Sequence, residues 1–219
     1  MKKKNKAIYL LFLMPFVYFA TACFVVWLVK TSGIYPSGSD TMYHVYRGDY
    51  VYNAIKSGNW YPLYDPAWYN GVEIMRYWAP LTAYYMALCQ MIAGGGQLAG
   101  YLIFVGSVCF FNSILWLIIG RKMNRPYLGA FVGLIWFFMP NNLLALFVEG
   151  NLARSLCMIF LPVFIYAVCE YLSERKRIYI PIIIVTFALM AMCHLGYAGM
   201  IALAVLIYCI VYMLSLIHI

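Results

Sequence analysis

The sequence predicts an all-α fold: a polytopic transmembrane helical bundle of about six spans, with a large first extracytoplasmic loop that contains short interfacial helices. Three observations predict it. Of the 219 residues 66% are hydrophobic and only 10% are charged, and mean hydropathy is +0.83. The apolar residues fall in runs of span length. The basic residues gather in short clusters between those runs. A soluble domain carries roughly a quarter of its residues as charged groups and could not hide this much apolar surface from water. In a bilayer the same surface is already in its preferred solvent.

The chain begins MKKKNK, and the apolar run that follows, 7–29, has about 23 residues. That is longer than the roughly 7–15 residues of a cleaved signal's apolar region. It reads as an uncleaved signal anchor with its basic end in the cytoplasm. Residues 30–79 are polar and aromatic and form the first outer loop. Residues 80–93 are apolar but number only about 14, short for a crossing, and Gly94, Gly95 and Gly96 follow. Further spans are expected at 98–119, 127–148, 152–172, 178–193 and 196–213. Residues 1–213 then form the N-terminal part of one transmembrane domain. The last six residues, LSLIHI, resemble a translated transposon end of the kind used in sequencing libraries. Residues 214–219 are therefore set aside as an artefact beyond which the natural chain continues, and His218 is given no role.

Orientation follows from charge. Lys2, Lys3, Lys4 and Lys6, then Arg121, Lys122 and Arg125, then Arg175, Lys176 and Arg177 make up ten of the 15 basic residues. All three clusters face the cytoplasm if 80–93 dips into the membrane or lies flat; if it crossed, two of them would face outward. The positive-inside tendency favours the first arrangement. Asp40, Asp49, Asp65, Glu73 and Glu149 then face outside, and only Glu170 and Glu174 face inside. The net charge of +8 is thus distributed as loop clusters, not as a surface stripe, and a nucleic-acid partner is excluded. The seven cysteines, Cys23, Cys89, Cys109, Cys157, Cys169, Cys193 and Cys209, are odd in number, lie in apolar stretches and form no CxxC. They read as small hydrophobes, not as a disulfide frame or a metal site.

Chemistry can be sought in four places. In SGSDTMYHVYRGDYVYNAIKSG, Asp40, His44, Arg47 and Val51 recur at helical spacing and would share one helix face. Asp40 suits a helix N-cap equally well, and the two roles are compatible. The segment GNWYPLYDPAWYNGVEIMRYWAP holds Trp60, Tyr61, Tyr64, Trp68, Tyr69, Tyr77 and Trp78. So many aromatics suit either a belt at the headgroup level or a platform for a sugar ring or lipid carrier, with Trp60 and Tyr61 as the leading binding candidates. Glu149 and Arg154, in FVEGNLARS, sit near the outer boundary, where ionisable groups are costly; they form either a site or a mutual pair closing the Gly150–Asn151 turn. His194, in CHLGYAG, ends a span on the same side, as a structural histidine or as part of the site.

With those residues on the page, the chain resembles the integral membrane glycosyltransferases of the GT-C fold. The carriers of the resemblance are GSDTMYH, SGNWYPLYDPAWYNG and APLTAYY after a first span. Within that superfamily it is most similar to bacterial membrane proteins of the 6-pyruvoyl-tetrahydropterin synthase-related group, through FVEGNLARSLCMIFLP and MCHLGYAG as well. The likeness extends over nearly the whole chain. It implies a sugar donor carried on polyprenyl phosphate, an essential acid near the start of the first outer loop, matched by Asp40, and a second acid from the next outer loop, matched by Glu149. The sequence departs from the family pattern in having Ser39, Thr41 and Met42 beside Asp40 and no DD, DxD or ExD. No metal ligand is assigned, and a divalent metal remains an option the pattern does not fix.

The expected function is therefore transfer of a sugar from a polyprenyl-phosphate donor to an acceptor on the outer face of the cell membrane. Asp40 and Glu149 are the expected catalytic residues, and His44, Arg47, Trp60, Tyr61, Arg154 and His194 the expected binding residues. Membrane lipid is the other expected partner. The competing reading is a non-catalytic lipid or polysaccharide transporter, or an assembly subunit, that uses the same loop for binding alone.

Overall fold

The structure is a computed structural model and describes residues 2–33 and 38–217, with side chains from residue 9 to residue 215. His218 and Ile219, part of the tail set aside above, lie outside the described residues. Among the described residues the fold is helical, with one isolated bridge between Asp65 and Val72. In chain order the helices are α1 (Lys2–Thr31), α2 (Thr41–Lys56), α3 (Leu81–Ile92), α4 (Gln97–Lys122), α5 (Pro126–Ile135), α6 (Pro140–Leu143, continued by a π-helical turn, Leu144–Val148), α7 (Leu152–Glu174), α8 (Tyr179–Cys193) and α9 (Leu195–Ile217). Helices are what a lipid-immersed chain must form, because each backbone polar group then finds its partner within the segment.

Packing contacts set the direction of each helix. Phe19 of α1 meets Phe110 of α4 edge-on at 6.2 Å, Val26 packs on Gly106, and the Tyr18 hydroxyl donates to the Ala130 carbonyl at 3.0 Å. α1 and α4 are therefore antiparallel. So are α4 and α5, where Gly120 and Gly129 let the two backbones touch: a Cβ on Gly120 would lie 2.4 Å from Gly129 Cα. This is small-residue packing of membrane helices. α7 and α8 are antiparallel as well, with Phe164 and Phe187 at 5.7 Å and the Tyr179 hydroxyl 3.3 Å from Glu170. The shared core, including Tyr101, Phe104, Val108, Leu152, Leu156 and Met190, joins the two halves. As a result the N-terminal end of α1 and the clusters at Arg121, Lys122 and Arg125 and at Arg175, Lys176 and Arg177 lie at one end of the bundle. The first loop and the turn at Glu149 lie at the other.

The polytopic helical bundle is as expected, and two of the expected spans take a different form from a straight, full-length helix. Among the described residues four helices are long and apolar enough to cross, Tyr9–Thr31, Gln97–Lys122, Leu152–Glu174 and Leu195–Ser215, and the bent pair Pro126–Ile135 and Pro140–Val148 makes a fifth if it is one span. The expected span 127–148 is broken, its two parts bent by 42°. Pro140 is the cause: the residue before a proline is driven out of the helical region, and Met139 sits at φ −59°, ψ 135°. The expected span 178–193 is the 15-residue α8, only about 22 Å long. The 12-residue α3, about 18 Å, is too short to cross alone and packs against α2 and α4. All seven cysteines are free; four are buried, while Cys23 and Cys169 are exposed on helix surfaces.

Candidate functional site

The site is built where two distant segments are held together by their backbones. Ser39 N–H donates to the Val148 carbonyl at 3.1 Å and Asp40 N–H to the Glu149 carbonyl at 3.0 Å. The Ser39 hydroxyl adds a bond of 2.7 Å to the Glu149 carbonyl, across 110 positions of sequence. Two glycines make the approach. Gly38 has φ +100° and Gly150 φ +69°, and a Cβ on Gly38 would stand 2.5 Å from Gly150 Cα. On the other segment, the π-helical turn before Glu149 is closed by a bond from Glu149 N–H to the Leu144 carbonyl at 2.9 Å. Such turns recur at functional sites because they re-aim the residues that follow.

α2 starts from this latch. It runs from Thr41 to Lys56 and stops at Gly58, whose φ is +87°, in line with the helical spacing of Asp40, His44, Arg47 and Val51. Asp40 occupies the N-cap position, but its side chain makes no capping hydrogen bond. Asp40 instead lines a bowl of about 480 Å³, together with Tyr43, Trp68, Tyr69, Val72, Glu73, Ile74, Tyr77 and Trp78. That volume is in the range of small-molecule sites, roughly 300–1,000 Å³. The rings interlock: Tyr43 lies 5.4 Å from Trp68 and 5.7 Å from Trp78.

The bowl wall is folded back by Asp65. Asp65 and Val72 exchange two backbone hydrogen bonds of 2.9 Å, Asp65 Oδ1 accepts from Ala67 N–H at 2.9 Å, and Tyr46 donates its hydroxyl to the other carboxylate oxygen. Burial, followed by this acid, pushes the Tyr46 phenol up to about 12. Tyr69, Asn70 and Gly71 turn the chain with φ of 48°, 62° and 114°. Gly71 suits its place because φ of 114° is a conformation that side chains disfavour; a Cβ there would also meet the Tyr64 hydroxyl.

His44 and Arg47 share the face predicted for them, but that face is turned inward, and they are 2% and 1% exposed. Arg47 Nη2 donates to the carbonyls of Ile74 and Trp78 at 3.4 and 3.3 Å, and the guanidinium lies 5.6 Å from the Tyr43 ring centre. It holds up the bowl floor from beneath. The His44 ring meets Trp78 edge-on at 6.0 Å. Burial, then the positive charges of Arg47 and His194, lower its pKa to about 3, so it is neutral at physiological pH.

Glu149 and Arg154 pair with each other. Arg154 Nη1 lies 3.1 Å from Glu149 Oε2, Nη2 donates to Asn141 Oδ1 at 2.8 Å, and the guanidinium stacks 5.6 Å from the Tyr197 ring centre. Asn151, the N-cap of α7, accepts from Arg154 N–H at 2.9 Å. His194 joins α8 to α9: its Nδ1 accepts from Tyr197 N–H at 3.1 Å, capping the new helix. Arg154 and His194 thus both touch Tyr197. Asp40, Glu149, Arg154 and His194 are gathered at one end of the bundle. Trp60 and Tyr61 are not part of the bowl. They follow α2 at its far end, 71% and 55% exposed, with the Trp60 carbonyl held by the Tyr84 hydroxyl at 2.6 Å.

The bowl residues Tyr43, Glu73 and Ile74, and the partners Asn141 and Tyr197, were not singled out from sequence. The turn signals Asp65–Pro66 and Asn70–Gly71 mark a change of chain direction, but nothing local in them selects Trp68 over Trp60 as a lining residue. Nothing local in sequence marks Asn141 or Tyr197. No group of three or more His, Cys, Asp or Glu side chains is placed to hold a metal among the described residues.

A model for a 6-pyruvoyl-tetrahydropterin synthase related domain, described as a membrane protein, matches residues 75–217. The matched stretch includes Glu149, Arg154 and His194; Asp40 and most of the bowl precede it. No curated protein and no solved structure matches the chain.

Proposed function

This chain belongs to the 6-pyruvoyl-tetrahydropterin synthase related family of membrane proteins, and from that premise we propose that it is a GT-C type glycosyltransferase acting at the outer face of the membrane. The observation that carries the reading is Asp40, its carboxylate unengaged by its helix, in the lining of an aromatic bowl at one end of a helical membrane bundle. Aromatic rings with carboxylates among them suit a sugar: its apolar C–H faces stack on the rings, and its hydroxyls donate to the acids.

In the proposed reaction an acceptor hydroxyl attacks the anomeric carbon of a sugar on polyprenyl phosphate. Asp40 takes the hydroxyl proton as the new C–O bond forms. The bond from the anomeric carbon to the phosphate oxygen breaks, and its electron pair leaves with the lipid phosphate. Arg154 is the cation suited to that charge, because it lies at the latch and is partly open, with 21% of its side chain exposed. His44 is buried and neutral and Arg47 is spent on carbonyls, so both serve as supports of the bowl. Glu149 orients Arg154.

The test is transfer of labelled sugar in proteoliposomes containing polyprenyl-phosphate-linked donors. Asp40→Asn keeps size and lowers the rate by about 10²- to 10⁴-fold, with membrane insertion unchanged. Loss of a helix cap alone would cost only about 1 kcal/mol of stability and leave turnover intact. Full activity in Asp40→Asn would transfer the role to Glu149. Full activity in Glu149→Gln as well would end the enzyme reading in favour of a binding or transport role.

A further inference from the structure

A second cavity, separate from the bowl, runs between α1 and α4. It is an open groove of about 530 Å³. Its floor exists because of Gly106, where a Cβ would stand 3.0 Å from Val26 Cγ2. Its walls are apolar: Phe19, Cys23 and Trp27 on one side, Ile103 and Phe111 on the other. The one hydroxyl in the lining, Ser107, is already engaged with Phe104 and Tyr85 at 2.8 and 2.9 Å. Lys30 closes one end. It is exposed, and it makes no ion pair among the described residues.

Length says what fits. From Lys30 to Phe19 the groove follows α1 for about 17 Å at ~1.5 Å per residue. One leaflet of the hydrocarbon core is about 15 Å deep, half of ~30 Å. The groove therefore offers a dry channel one leaflet deep with a single ammonium at the surface end. A long isoprenoid chain would overrun it, and a zwitterionic headgroup would gain less from Lys30 than an anionic one.

We propose that this groove is a binding site for one acyl chain of an anionic glycerophospholipid, whose phosphate is held by Lys30. The site is independent of the bowl and of the transfer reaction, and its occupant is a resident lipid of the leaflet into which α1 emerges. It fills the gap between α1 and α4 that their side chains leave open.

The experiment is photo-crosslinking of the whole chain in nanodiscs, using phosphatidylglycerol with a diazirine in one acyl chain and mapping the labelled peptides. Labelling concentrates on 19–30 and 102–111. Lys30→Ala lowers it about fivefold, the effect of one basic residue facing an anionic headgroup. Cys23→Trp, at an exposed groove position, blocks it while the far ends of α1 and α4 stay paired. Equal labelling by phosphatidylcholine would overturn the role of Lys30 and with it the proposal. So would labelling spread evenly over α7 and α9, or displacement of the probe by polyprenyl phosphate at equimolar amounts, which would assign the groove to that lipid instead.

Discussion

His44 is the residue whose chemistry is most altered by its surroundings. It meets Trp78 edge-on beneath the bowl, with Arg47 and the His194 ring as its charged or titratable neighbours and Tyr43 alongside. Its folded pKa near 3 lies below the ordinary 6.5, so an unfolded loop takes up a proton that the folded loop refuses. Stability is full above about pH 6.5 and falls as the pH drops through 6.5 towards 3. At pH 5 the loss is about 2 kcal/mol, from 1.5 pH units at ~1.4 kcal/mol each. Protection factors of the amides in 41–78, referred to the intrinsic exchange rate at each pH, should fall accordingly between pH 7 and pH 5, and His44→Gln should flatten that dependence. An unchanged slope in the variant would move the effect elsewhere. At this scale the sequence conveyed residue identity and spacing but not facing. The interval from Asp40 to His44 to Arg47 does place them along one side of a helix. Whether that side meets a substrate or a hydrophobic floor is decided by the segment 74–78 folding under it, and no local spacing encodes that.

Among elements, the joint between α2 and the turn after α6 governs the site. Gly150→Ala should destabilise the protein by about 1–3 kcal/mol, because φ is +69° and the new Cβ would press on Thr41 N at 2.5 Å. Gly199→Ala is the control, since nothing lies within 4 Å of it in the middle of a helix turn, and it should be neutral or slightly stabilising. Thermal unfolding in detergent separates the two; equal midpoints would show that the joint is slack. The start of α2 was readable, with Asp40 at its N-cap position. The break at Pro140 was not foreseen, because the apolar run on either side favoured one straight span. In lipid both readings bury the same side chains, so hydropathy alone could not choose between them. The short reach of α8 was already in the sequence, where the expected span 178–193 is nearly the 15-residue helix Tyr179–Cys193.

For the whole molecule the prediction is orientation. The three basic clusters share one end of the bundle, and the positive-inside tendency places that end in the cytoplasm. A membrane-impermeant thiol reagent applied from outside should label Asn59→Cys and leave Asn124→Cys untouched until the membrane is opened. The reverse pattern would invert the orientation and the side on which transfer is proposed. Membrane class and the pairing of loop with rim were legible in composition and charge. The choice of Trp68 and Trp78 over Trp60 and Tyr61 was not, because it depends on a hairpin anchored by Asp65 at long range to Tyr46. The backbone latch has one more consequence. It fixes the acid at Asp40 through amide and carbonyl groups that every residue carries, and asks only for two glycines. Apart from Tyr43 on α2, the rings of the bowl come from residues 68–78. Those rings can therefore be exchanged while the backbone latch still sets the position of Asp40. A fold divided in this way is a chassis with a replaceable tool head: substitutions within 68–78 reshape the bowl and leave the latch in place.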